Sequence, residues 1–111
     1  MRELLDLRDR PTAVAFANDL MAMAGMSTAV SRGVVVPDDL SITGFDDVEI
    51  CAHLQPSLTS VHTDVVAWGR VAATRLLELI DNDAASPADL PDARLVVRSS
   101  TSHAPDPVRP L

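Results

Sequence analysis

Four side chains near the ends of two apolar runs are the ones best able to do chemistry in this sequence. Asn18 and Asp19 follow the run T-A-V-A-F-A at Thr12–Ala17 at once, and Asp46 and Asp47 follow L-S-I-T-G-F at Leu40–Phe45 in the same way. An amide offers both donors and an acceptor, and a carboxylate accepts two hydrogen bonds from vicinal hydroxyls. Asn18 with Asp46 therefore suits a polar, polyhydroxylated ligand. The same residue types also cap helices, so spacing alone leaves two roles open for both residues. The roles can be divided, with Asn18 and Asp46 turned to a ligand while Asp19 and Asp47 hold helix N-termini. His62 and Thr63 stand in the equivalent place after a third run, Leu58–His62.

Other chemistries fit poorly. Asp46, Asp47, Glu49 and His53 are hard metal ligands close in sequence, but consecutive residues point in different directions, and no metal site is expected. A magnesium pocket of the response-regulator kind also wants a lysine, and the chain has none. Nucleophilic catalysis lacks its parts: there is no G-x-S-x-G, and Cys51 has only His53 nearby with no third group to orient it. Cys51 reads as a small buried hydrophobe, and His53 and His62 as interface or surface histidines. The four glycines are scattered, so no phosphate loop exists. The expectation is a protein with no catalytic residues and no cofactor, and not an enzyme.

The elements that position Asn18 and Asp46 follow from periodicity. Met1–Asp9 reads as the tail of a helix ended by Pro11. Thr12–Ala17 is nearly continuous in apolar residues, the pattern of a strand buried on both faces of a parallel sheet. Asn18 and Asp19 then open a helix over about Leu20–Arg32, closed by Gly33. The second strand, Leu40–Phe45, leads into a short helix over about Val48–Leu54, stopped by Pro56, and a third strand follows at Leu58–His62. Val65, Trp68, Ala72, Leu76 and Leu79 recur at helical spacing in Asp64–Ile80. Asp81–Asp92 is a surface connection, and Arg94–Ser100 a last strand. Prolines 105, 107 and 110 imply a disordered tail over 104–111. This alternation predicts an α/β fold, a partial parallel sheet of βαβ units, whose ligands sit beyond the carboxyl ends of the strands.

Leu20–Arg32 is apolar almost all round, so it must be covered on both sides. One side can pack on the sheet. Met23, Met26 and, from the short helix, Leu54 are candidates for contact with a second protomer on the other; the alternative is that they fill a core.

Composition narrows the partners. The 111 residues carry a formal charge of −7, which repels phosphate backbones, so the chain is not expected to bind nucleic acid by itself. A single cysteine excludes an intrachain disulfide and suits a reducing cytoplasm. The start, Met1–Arg10, has no apolar core of the kind a signal peptide needs, and no apolar run approaches the length of a membrane span.

Three ordered motifs carry a family resemblance: A-N-D-L-M-A-M-A-G-M at Ala17–Met26, V-P-D-D-L-S-I-T-G-F-D-D at Val36–Asp47, and L-Q-P-S-L-T-S-V at Leu54–Val61. With G-R-V-A-A-T-R-L-L at Gly69–Leu77 and L-V-V-R-S-S-T at Leu95–Thr101, the chain resembles the effector domain of the LacI/GalR family of transcriptional regulators. The resemblance implies the C-terminal part of a periplasmic-binding-protein-like type I domain. In that reading residues 1–103 form an incomplete effector-binding domain, and no DNA-binding domain is present. It implies that Asn18 and Asp46 contact a sugar-type effector, that Thr63 or Val65 lines the cleft, and that the helix after Asn18 and the short helix after Asp47 make a homodimer. Thr63 stands where many members have Gln. The resemblance also places the long helix in another subdomain, so Val65, Trp68, Ala72 and Leu76 lose their usual partner surface. DNA would be reached only through a headpiece outside this chain. A sugar-binding protein of a transporter shares the fold and is the alternative; a small enzyme with a flavodoxin-like sheet is a third reading.

Overall fold

The computed structural model describes residues 1–84 and 86–104. They form two units, one of Met1–His62 with the chain from Leu95 onward, the other Thr63–Arg94. The tail expected over 104–111 falls, from residue 105, outside the described residues.

The first unit is built on a four-stranded sheet in sequence order. β1 (Ala13–Ala15) pairs in parallel with β2 (Ser41–Asp46), and β2 in parallel with β3 (Thr59–His62), while β4 (Arg94–Val96) completes the sheet. Register sets Ala15 opposite Thr43 and Asp46 opposite His62. The chain crosses from β1 to β2 through α2 (Asp19–Ser31), as a parallel pair requires.

Local chemistry fixes the ends of α2. Asn18 Oδ1 accepts from the Met21 amide at 2.8 Å, taking up one of the free amides of the first turn. At the other end Gly33, at φ +75°, lets Gly33 N–H reach Val30 O and Val34 N–H reach Ala29 O, both at 3.0 Å. This paired closure is the Schellman motif. Ala22, Met26 and Ala29 bury one side of the helix with Val34, Val36, Leu40, Ile42, Cys51 and Leu58 to make the core.

Four expectations change in detail, the last strand among them: expected over Arg94–Ser100, it is only Arg94–Val96. The opening helix, expected over Met1–Asp9, is the single turn α1 (Arg2–Leu5), because only Met1 and Leu5, one turn apart, reach the core. β1 is shorter than Thr12–Ala17 and is not buried on both faces: Ala13 and Ala15 are exposed while Val14 is half-buried on the α2 side. Ala13 and Ala15 look onto an open groove of about 450 Å³ shared with Ser41, Thr43, Thr101 and Ser102. The short helix is a 3-10 helix, Glu49–His53, which turns Cys51 into the core.

The second unit is dominated by α3 (Val65–Asn82). Asp64 caps it by accepting from Ala67 N–H at 2.9 Å, and Asp83 ends it in left-handed backbone. No α3 residue is fully buried. Trp68 is half-buried, its indole Nε1–H donating to the carbonyl of Pro91 at 3.1 Å.

Candidate functional site

Neighbouring parallel strands deliver Asn18 and Asp46 to the same edge of the sheet. The Phe16 amide bonds to Thr43 O at 2.9 Å, so the chain leaving β1 and the last residues of β2 run side by side. One residue past Asn18, the Asp19 carboxylate accepts from the Val48 amide at 2.9 Å, two residues past Asp46. Strand ends of this kind are where parallel sheets hold ligands.

The division of labour differs from the simplest expectation. Asn18 is itself the helix cap, and Asp19 does not hold the N-terminus of its own helix; its carboxylate is buried and turned across the sheet. Asp47 does not cap the 3-10 helix, whose cap position is Val48 without a side-chain bond. The physical reason is that both second residues have long-range partners that outbid a local cap. Asp19 Oδ1 accepts from Ser60 Oγ at 2.5 Å. Asp47 Oδ1 accepts from Arg98 Nη2 at 2.6 Å, and Oδ2 pairs with His62 Nδ1 at 3.1 Å. A carboxylate accepts only, so the imidazole carries a proton on Nδ1 in this pair.

Among the described residues Asn18 keeps its Nδ2 donors, because the cap engages only Oδ1. Asp46 is exposed, and among the described residues its carboxylate makes no hydrogen bond. Its backbone is unusual: φ is +106° at Asp46 and +54° at Asp47. Left-handed backbone at residues with a side chain costs of order 1–3 kcal/mol each and persists where the surroundings over-determine it, as at functional sites. The wall made by the first unit thus presents a donor at Asn18 and an unspent, two-oxygen acceptor at Asp46.

Thr63 and Val65 belong to the second unit. Thr63 is buried and its carbonyl accepts from the Val65 amide at 3.0 Å, while the Val65 side chain is exposed. The structure brings together Asn18 and Asp46, and within the second unit Thr63 and Val65. Met23, Met26 and Leu54 also meet, lining with Ser27, Val30 and Gln55 an open, mostly apolar groove of about 430 Å³ between α2 and the chain that follows the 3-10 helix. Met26 reaches both the groove and the core.

Among the described residues no group of three His, Cys, Asp or Glu could hold a metal ion, so Asp46, Asp47, Glu49 and His53 do not form one. Cys51 is fully buried; burial and then the neighbouring Asp19 carboxylate push its thiol up to about 12, against a smaller lowering by Arg98. Such a thiol is inert as a nucleophile at neutral pH. The residues that sequence reading passed over are Asp19 as a cross-link, Ser60, Arg98 and Gly44, whose partners lie far along the chain.

Residues 1–101 match the family model described as a periplasmic binding protein-like domain. The chain belongs to that family. The HTH-type transcriptional repressor CytR of Escherichia coli is 38% identical over 106 residues, which are 95% of this chain and 31% of the repressor. Among solved structures, a LacI family transcriptional regulator from Bifidobacterium animalis subsp. lactis superposes with a TM-score of 0.82 at 38% identity, covering 94% of this chain and 38% of that one. A CelR–cellobiose complex gives 0.78 at 35% identity, with 89% and 31% covered. A dimeric Lac repressor gives 0.74 at 36% identity, with 86% and 35% covered. The chain therefore spans about a third of the length of these proteins, and the relatives named here are transcriptional repressors and regulators. Among the described residues no helix is long and apolar enough to cross a membrane.

Proposed function

We propose that this chain is the effector-sensing and dimerisation portion of a LacI-type transcriptional regulator, acting without catalysis in the cytoplasm. The observation that carries the reading is the pairing of Asn18 and Asp46 at the ends of adjacent strands, one with donors to give and the other with a carboxylate unspent. A ligand that satisfies both donates two hydroxyls to Asp46 and offers an oxygen to Asn18, which describes a neutral polyol such as a sugar. Thr63 and Val65, in the second unit, are candidate effector-lining residues through the LacI resemblance alone. Likeness to a CelR–cellobiose complex supports a sugar-type effector. Likeness to a dimeric Lac repressor, with the apolar groove at Met23, Met26 and Leu54, supports a homodimer.

The mechanism is a population shift: an effector with higher affinity for one arrangement of the domain moves the dimer toward it, and the DNA-reading parts follow. DNA is contacted by a headpiece outside these residues, since a charge of −7 disfavours a phosphate backbone here. The repressor relatives favour this reading over a transporter's sugar-binding protein.

The test is a thermal-shift screen of the whole gene product with pentoses, hexoses, cellobiose and nucleobases. One of them is expected to raise Tm through preferential binding to the folded state. Asp46→Asn, which gives up the charge and one acceptor, is expected to weaken that ligand about tenfold to a hundredfold. A response left intact by Asp46→Asn would overturn the reading.

A further inference from the structure

Two consecutive non-glycine residues in left-handed backbone are held by something, and the amides and carboxylate of this turn identify what. The Asp47 amide donates to Ser60 Oγ at 3.1 Å, and the next amide, Val48, donates to Asp19 Oδ2 at 2.9 Å. Ser60 Oγ passes its own proton to Asp19 Oδ1 at 2.5 Å, so one hydroxyl and one carboxylate, both fully buried, fasten the two amides together. From the other side Arg98 grips Asp47 Oδ1 at 2.6 Å and the Leu58 carbonyl at 2.7 Å, while its own amide donates to Thr59 Oγ1 at 2.8 Å. His62 takes the second oxygen of Asp47. Asp47 is thus spent inward at its amide and at both carboxylate oxygens.

We propose that Asp19, Ser60 and Arg98 are positioning residues that lock the Asp46–Asp47 turn in its left-handed conformation and so aim the Asp46 carboxylate out from the end of β2. Each comes from a different segment, the first turn of α2, the middle of β3 and the chain after β4, so the lock forms only when the sheet is assembled. None of the three needs to touch a ligand to control its affinity, because a turn free to relax spreads Asp46 over many directions. That Asp46 meets an effector rests on the function proposed above. The lock itself does not.

Native-state amide exchange on the 111-residue chain separates local from global effects. The reporters are the Asp47 and Val48 amides, against the Phe16 and Ser41 amides, which bond to Thr43 O and Thr12 O in the β1–β2 pairing. In Ser60→Ala the two turn amides are expected to exchange about tenfold faster, the scale of one lost hydrogen bond, with the two reference amides unchanged. Arg98→Lys keeps the charge but not the forked grip, and is expected to loosen Asp47 in the same selective way. A common acceleration of all four amides in both variants, or none at the turn, would overturn the proposal. Selective loosening together with an effector response indifferent to Asp46→Asn would leave the lock standing and remove the proposed function.

Discussion

At the scale of single residues, the site depends on carboxylates held for opposite purposes. Among the described residues Asp46 is left free, while Asp19 and Asp47 are consumed by the interior. Cys51 lies against this interior cluster, and its raised thiol gives the folded chain a pH signature. An unfolded thiol loses its proton near the ordinary value of 9.0, whereas the folded one keeps it up to about 12. Below about pH 9 both states hold the proton and the contribution to stability is complete. Between 9 and 12 the unfolded chain binds fewer protons, so unfolding becomes easier as pH rises. The window is unusually clear, because the chain contains no Tyr and no Lys to titrate there. Urea denaturation at stepped pH is expected to show stability falling through this window with a slope approaching one proton. The Cys51→Ala variant should give a much flatter line; equal slopes in both would rule the thiol out as the source. Thiol-directed reagents should label Cys51 only as fast as the chain unfolds.

At the scale of elements, close approach decides more than propensity. A Cβ at Gly44 of β2 would overlap the Asp19 carboxylate and stand 3.1 Å from the Asp19 Cα, which is backbone and cannot swing aside. Gly44→Ala is therefore expected to cost about 1–3 kcal/mol in urea unfolding by pushing α2 off the sheet. At Gly69, inside α3, an added methyl meets nothing within 4 Å. Gly69→Ala is expected to stabilise that helix by about 0.5–1 kcal/mol, read as higher helicity. If the two substitutions had equal effects, steric contact at Gly44 would not be the cause. The contrast also marks what could be read from sequence. Asn18 opening α2, Gly33 closing it and the three-and-four spacing from Val65 onward are local signals, and the elements stand where those signals put them, as do Asn18 and Asp46 at strand ends. The openness of β1 was not legible, because T-A-V-A-F-A is compatible with cover on one face or two. The lock at Asp47 was not legible either: Ser60 is 13 residues away from it and Arg98 is 51. Nothing in a lone serine or arginine announces a partner at that distance.

At the scale of the whole molecule, apolar surface is left over. α3 exposes Val65, Val66, Leu76, Leu77, Leu79 and Ile80, and α2 exposes Leu20, Met21 and Val30 beside the groove at Met23 and Leu54. Surfaces of this kind mark contact sites or drive self-association. Opposing this is a formal charge of −7 on every copy, a repulsion that salt screens. The 111-residue chain is therefore expected to associate with itself, and more strongly as salt is raised, which light scattering over a concentration series will show. Two substitutions separate the surfaces. Met23→Glu puts a charge into the groove on α2, and Leu77→Glu puts one on the exposed stripe of α3. If the dimer of the proposed regulator forms through the groove, Met23→Glu should abolish the smallest associated species, while Leu77→Glu should remove only larger ones. The reverse pattern would mean that copies meet through α3, the surface that the LacI resemblance gives to another subdomain. A monomer mass at every concentration and salt would mean that neither surface suffices to join two copies of this chain.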